Sequence, residues 1–400
     1  MKEVDFIATI RKRGNSYQIR VSVGYDTAGN HKEQAMTWKP DLGMTERQIE
    51  KELQRQAVLF EEKCSKGFMS TATKFQDLAE EWFDGYARHN LRSTTYERMK
   101  QLTHRIYPAI GHLRMDKITP RVLQAFVNSL AKDGANEKTG KPLAPKTIRH
   151  NLSFVSDVFS YAVRMGMLSD NPCSKVIIPK GEVKEKQIYS PEEMEQLLIR
   201  LQGQPIKYKV FFYLLAYSGF RRSEMLGLEW KDIDFENNII SVRRTSNYTA
   251  ERGTYTDTTK TKRSQRTLKI APYIMDLLRE LKAEQDANAI KYANLWVETD
   301  RLFTKWNGEP MNNNTPYDWL REFCSNNGLP FYGLHSFRHF MASSLISSGI
   351  DVVTVSGALG HCNSSTTLNV YSHQFQNSQA RVAEAMDGIL NFLPKNKKQE

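Results

Sequence analysis

Four hundred residues, 40% of them hydrophobic and 25% charged, exceed one small core and suit two or three globular domains. No window has the length and apolarity of a membrane span, and Met1-Lys2-Glu3-Val4-Asp5 does not begin a signal peptide. Cys64, Cys173, Cys324 and Cys362 form no C-x-x-C pair, which argues against a zinc module or a disulfide framework and fits a reducing cytoplasm. The net charge of +11 favours a polyanionic partner. Most of the surplus lies in residues 73–180, with 17 Lys/Arg against 10 Asp/Glu.

The first stretch reads as a small β unit. Tyr17–Val23 alternates apolar and polar residues, and Tyr25–Asn30 supplies turn chemistry before a second strand at His31–Trp38. Thr45-Glu46-Arg47-Gln48 is expected to cap a helix that runs to about Lys63. Arg11, Lys12, Arg13 and Arg20 sit on or beside the strands. Such residues either solvate an edge or present a face to a nucleic-acid groove.

After a small, polar linker at Ser65–Thr73, four helices are expected, with starts at Thr73, Thr94, Thr119-Pro120 and Pro145. Their inward stripes include Phe75, Leu78, Trp82, Leu123, Phe126, Leu152, Val155 and Phe159. Asp170-Asn171-Pro172 is expected to end the fourth. Thr95, Arg98, Lys146, Thr147, Arg149 and His150 fall on outward positions, a mixture suited to phosphate contact or to plain solvation. Lys175–Gln187, with Lys175, Lys180, Lys184 and Lys186, reads as a basic tether.

Ser190-Pro191-Glu192-Glu193 opens a third, mainly helical unit with a small antiparallel sheet. An apolar helix through Val210–Leu215 breaks at Ser218-Gly219. A hairpin is expected from Ile239–Arg243 to Gln265–Ile270, and further helices near Pro272, Thr315, Ser336, Val352 and Thr366. No internal repeat or low-complexity tract interrupts the chain.

Four boxes in this unit carry chemistry only when taken together. Arg221 follows the Gly219 break at a helix start, where an arginine fork can grip two phosphate oxygens. Lys260, in Thr259–Arg266 at the hairpin, can protonate a leaving oxygen. His335 and Arg338 share one helical face with His339. A zinc site is disfavoured there, because Ser336 stands where a metalloprotease carries glutamate and Arg338 would repel a cation. His361 and Tyr371 close the set in Leu359–Tyr371. A tyrosine hydroxyl, with an ordinary pKa of roughly 10, needs nearby cations and a proton acceptor to attack a phosphodiester. With arginines stabilising the charge, such an attack requires no metal and no cofactor.

These boxes, in this order, resemble the catalytic domain of tyrosine recombinases of the phage and conjugative-transposon integrase type. Ser218-Gly219-Phe220-Arg221, Lys260, His335 to Arg338, Leu359-Gly360-His361 and Tyr371 carry the resemblance. It implies a catalytic set of Arg221, Lys260, His335, Arg338, His361 and the nucleophile Tyr371, with Glu224 as a supporting acid. Lys262, two residues on, is the alternative lysine. Ser218 and Phe337 stand where threonine and leucine are commoner. The resemblance further implies three domains: a small α/β arm-binding domain at 1–66, a helical SAM-like core-binding domain at 73–172, and the mainly α catalytic domain at 187–390.

The expected activity is site-specific DNA recombination through a covalent 3′-phosphotyrosyl intermediate, integrating or excising a mobile element. The partners would be double-stranded DNA and three further copies of the chain in a tetramer, with an excision factor and a host DNA-bending protein as candidate accessories. A type IB topoisomerase and a non-catalytic DNA-binding regulator are the alternatives. An arm-like β unit argues against the first, and the complete catalytic set against the second. The tail, with Val382, Ala385, Met386 and Ile389 at helical spacing, closes its own core or docks on a neighbouring protomer.

Overall fold

Alternating residues of the N-terminal stretch form a three-stranded antiparallel sheet in the computed structural model, which describes residues 8–25, 31–65, 73–181, 187–258, 265–360 and 386. The strands are β1 (Ala8–Arg13), β2 (Ser16–Tyr25) and β3 (His31–Trp38), with β2 in the centre. Helix α1 (Glu46–Ser65) packs on the sheet, and Ile19, Val21, Leu53, Ala57 and Phe60 form the core between them. Gln48 reaches back to both the backbone N–H and the hydroxyl of Thr45, each at 2.9 Å, as the sequence led one to expect. Strand β1 was not expected. Five of its six residues are exposed, so it has no alternation to read.

Residues 1–183 form one unit by contact and 184–400 the other. The helical part of the first unit consists of α2 (Phe75–Trp82), α3 (Ser93–Ile106), α4 (Pro120–Leu130) and α5 (Pro145–Arg164). α2 continues through a π turn at Phe83–Ala87, and α3 through another at Tyr107–Gly111. Phe75, Trp82, Phe83, Phe154 and Phe159 are at most 1% exposed and interlock through edge-on and stacked rings.

Two expected caps are corrected. The N-caps of α2 and α3 are Lys74 and Arg92, neither of which makes a side-chain cap bond. Thr119 does cap α4, accepting from Val122 N–H. α5 ends at Arg164, before the expected stop. Asn171 instead reaches back to α5, donating to the Ser156 carbonyl at 3.0 Å and to Ser160 Oγ at 2.9 Å.

The second unit opens on α6 (Pro191–Leu201), whose Ser190–Glu193 capping box is fully formed. α7 (Ile206–Ser218) runs through the core; Val210, Phe211, Phe212, Leu214 and Leu215 are all at most 1% exposed. An apolar surface all round requires neighbours on every side, and α9 (Pro272–Tyr292) and α11 (His335–Ser347) both pack on it. The single turn α8 (Arg222–Met225), α10 (Thr315–Asn326) and α12 (Val352–Leu359) are further helices of this unit.

The expected hairpin is corrected in part. β4 (Ile233–Asp234), β5 (Ile239–Val242) and β8 (Arg266–Lys269) form one sheet, with Ile239 opposite Lys269 and Val242 opposite Arg266. Between β5 and β8, however, β6 (Arg244–Thr249) and β7 (Gly253–Thr258) form their own two-stranded ladder. The base of that ladder is anchored by charge. Arg244 binds both carboxylate oxygens of Asp232, at 2.5 and 3.3 Å, and approaches Glu229 at 2.7 Å.

Candidate recombination site

The arginine box begins where α7 stops. Gly219 closes that helix with φ of 59°, the left-handed region, and its N–H bonds back to the Leu215 carbonyl. A side chain there would meet Leu359 Cδ2 at 3.1 Å and Met341 Sδ at 3.2 Å, so glycine also allows α11 and α12 to approach the turn. Arg221 then takes the N-cap position of α8. The acceptor at this helix start is the chain's own Glu224, whose Oε2 receives the Arg221 backbone N–H at 2.9 Å and whose Oε1 receives Nη1 at 2.7 Å.

Glu224 is 2% exposed. Burial works against its ionisation, but the charge and hydrogen bond of Arg266, together with Arg221, outweigh that and hold the carboxyl below the usual carboxylate range. Arg266 reaches it from β8, with Nη2 to Oε2 at 2.9 Å. The Arg266 guanidinium also lies over the Phe220 ring, 5.0 Å from its centroid, and donates from Nε to the Ala358 carbonyl at 2.7 Å.

Arg338 is 2% exposed on α11. Its Nη1 donates to the Gly219 carbonyl at 2.8 Å and its Nη2 to the Leu359 carbonyl at 2.6 Å. The same side chain therefore ties the turn before Arg221 to the end of α12. There Gly360 terminates the helix with φ of 64°, and its carbonyl accepts from Arg221 Nη2 at 3.4 Å. His335 is exposed at the start of α11, edge-on to His339 at 4.8 Å between centroids. An open cleft of about 300 Å³ beside it is lined by Phe220, Arg222, Tyr317, Tyr332 and Gly333.

Arg221, Glu224 and Arg338 are thus gathered at one place with Gly360, the residue before His361, while His335 stands at the start of α11 on the cleft beside Phe220 and Arg222. Lys260, Lys262, His361 and Tyr371 lie outside the described residues, as do Lys184, Lys186, the helix expected near Thr366, and the tail apart from Met386. Among the described residues there is no group of three or more His, Cys, Asp or Glu placed to hold a metal ion, and no helix long and apolar enough to cross a membrane. Sequence reading did not single out Arg266. Its partners are 42 and 92 residues away, and a four-residue strand offers no periodicity to flag it.

The candidate DNA contacts of the first unit also have places. Opposed residues share a sheet face: Arg11 stands opposite Gln18 and Thr9 opposite Arg20, so Arg11, Arg13 and Arg20 are on one face. Lys12 stands opposite Tyr17 on the other, with Nζ 5.8 Å from that ring. Arg20 pairs with Glu33 at 3.3 Å. On the helices, Thr95, Arg98, Lys146 and Arg149 are exposed and Thr147 is half-buried. Burial, followed by the charges of Arg98, Lys146 and Arg149, lowers the pKa of His150, so these cations sit close together.

Residues 187–378 match the phage integrase family, and residues 74–131 match the N-terminal SAM-like domain of phage integrases. A XerC-like tyrosine recombinase of Caldanaerobacter subterraneus subsp. tengcongensis is 30% identical over 67% of this chain and 70% of its own length. The chain belongs to the phage integrase family of tyrosine recombinases. It is a site-specific DNA recombinase. The ICEBs1 integrase of Bacillus subtilis is 26% identical over 96% of this chain and all of its own. In fold, the chain is similar to the Tn1549 transposon integrase in complex with circular intermediate DNA, with TM-score 0.64 and 21% identity over 78% of this chain and 100% of that one. It is also similar to the lambda integrase tetramer bound to a Holliday junction, with TM-score 0.54 and 15% identity over 92% of this chain and 96% of that one.

Proposed function

We propose that this recombinase cleaves double-stranded DNA through Tyr371, with Arg221, His335, Arg338 and His361 around the scissile phosphate and Lys260 as general acid. The Tyr371 oxygen bonds to phosphorus while the bond to the 5′ oxygen breaks. His361 receives the phenolic proton, and Lys260 supplies one to the departing 5′ oxygen. The 3′-phosphotyrosyl link conserves the phosphodiester, so a 5′-hydroxyl from another strand can displace the tyrosine and rejoin DNA without ATP. Arginine forks and histidines meet the charge that builds on the phosphoryl oxygens.

The observation that carries this reading is the convergence of Arg221 with the Gly360 carbonyl, at 3.4 Å across 139 residues, beside the Arg338 fork. It brings three sequence-distant boxes to one point. The exposed Arg11, Thr95, Lys146 and Arg149, with the half-buried Arg20 and Thr147, would grip phosphates in the arm-binding (1–66) and core-binding (73–172) domains, with Lys12 contributing from the opposite sheet face. The catalytic domain spans 187–390. Similar proteins named for a phage and for a transposon favour a mobile element's integrase working in the cytoplasm as a tetramer on DNA, with an excision factor and a host bending protein as candidate accessories.

Incubating the protein with a nicked duplex of its element's end should yield a denaturant-resistant protein–DNA adduct that Tyr371→Phe abolishes. An adduct of equal yield from Tyr371→Phe would sink the nucleophile assignment. No adduct from either, with DNA binding intact, would favour the non-catalytic regulator.

A further inference from the structure

We infer that Arg266 is a positioning residue that keeps three parts of the recombination site in register, an inference that rests on the catalytic reading above. Three contacts made by one side chain support it. Its Nη2 holds Glu224, which in turn orients Arg221 through two bonds. Its Nε holds the Ala358 carbonyl, three residues before His361. Its guanidinium stacks on Phe220, next to Arg221, and lies so near Gly360 that a Cβ there would be 2.8 Å from Nη1. Arg266 also begins β8, six residues after Lys260 in the chain.

Lysine could not replace it. A planar fork reaches a carboxylate and a carbonyl at once and stacks on a ring, whereas an ammonium is a single point charge. The side chain is 7% exposed, so the pair with Glu224 is shielded from solvent and can transmit position rather than slide. Arg266 acts on the reaction through these partners. It holds Glu224 charged and aimed, and it fixes the end of α12 against the arginine box.

The test compares Arg266→Gln, Arg266→Lys, Glu224→Gln and the Arg266→Gln/Glu224→Gln double variant in the full chain. The measurements are DNA affinity, thermal midpoint, and the single-turnover cleavage rate on a suicide duplex as a function of pH. Arg266→Gln should bind DNA within a few-fold of wild type but cleave on the order of 100-fold more slowly, the scale set by a small misplacement of reacting groups. Its acid limb should move towards neutral pH, because Glu224 loses the cation that keeps it ionised. Arg266→Lys should restore that limb but only part of the rate. The double variant should lose little more than the worse single variant, because both act along one path.

A lowered thermal midpoint with an unchanged cleavage rate and pH limb would reduce Arg266 to a structural prop and overturn the inference. Fully additive losses would do the same for its route through Glu224. Tyr371→Phe in parallel separates the two readings: if it cleaves, the site itself is wrong; if it does not and Arg266→Gln cleaves normally, only this inference fails.

Discussion

Glu224 shows how one buried carboxylate makes the site depend on acid. Its folded-state pKa lies below the ordinary carboxylate value of 4.5. It therefore contributes stability that is fully present above that value and is lost as pH falls through the lowered one. Glu224→Ala leaves Arg266 buried without its carboxylate and is expected to cost about 3–5 kcal/mol near pH 7, the scale for breaking a buried pair. Urea unfolding should show the gap to wild type narrowing as pH drops below that of the carboxylate range; a constant gap would exclude the ion pair as its source. At Gly360, an alanine must adopt a left-handed backbone, at about 1–2 kcal/mol, and must also push the Arg266 guanidinium aside. Gly360→Ala is expected to slow cleavage as well as lower the thermal midpoint. Arg221, Glu224 and Arg338 were legible as residues because each sits in a short motif. Arg266 and the carbonyl partners of Arg338 were not, because long-range contacts define them.

Among the elements, legibility followed local chemistry. The Ser190–Glu193 box was readable because both halves of the cap lie within four residues, and the structure contains both bonds. The starts of α2 and α3 were misread because threonines near a helix start look like caps whether or not they make the bond. The β6–β7 ladder escaped notice because its buried positions, Ser246 and Thr249, are polar and its other residues are half-buried or exposed without regular alternation. Its anchor is readable only in space. Arg244 is bonded to Asp232, of which the side chain is 1% exposed, and Arg301 bridges from the Leu226 carbonyl to Thr256 Oγ1. Arg244→Met should therefore destabilise the second unit by about 3–5 kcal/mol by stranding buried carboxylates. Adding Asp232→Asn should recover part of the loss. Chemical denaturation of the single and double variants checks this, and an equal or larger loss in the double variant would mean that Arg244 acts elsewhere.

For the whole molecule, the uneven charge carries the argument. The basic surplus of residues 73–180 was visible in composition, but only the fold gathers Arg98, Lys146, Arg149 and His150 into one cluster. Each phosphate contact releases counterions, so Lys146→Ala and Arg149→Ala should each reduce the log–log salt slope of DNA affinity by about 1, nearly independent of sequence. His150 adds a pH term of defined sign. Burial, then its cationic neighbours, depress its pKa below 6.5 in the free protein, so the ring is mostly neutral at pH 7. A phosphate brought to the cluster offsets those charges and raises the pKa, so binding takes up a proton. Affinity must then rise as pH falls from the mildly alkaline side towards the free-protein value, and level off below it. Titrating DNA binding against pH in wild type and His150→Gln tests this: the variant should lose the dependence and keep the salt slope. A pH dependence unchanged by His150→Gln would place the proton elsewhere, and no dependence in wild type would take the phosphates away from this face.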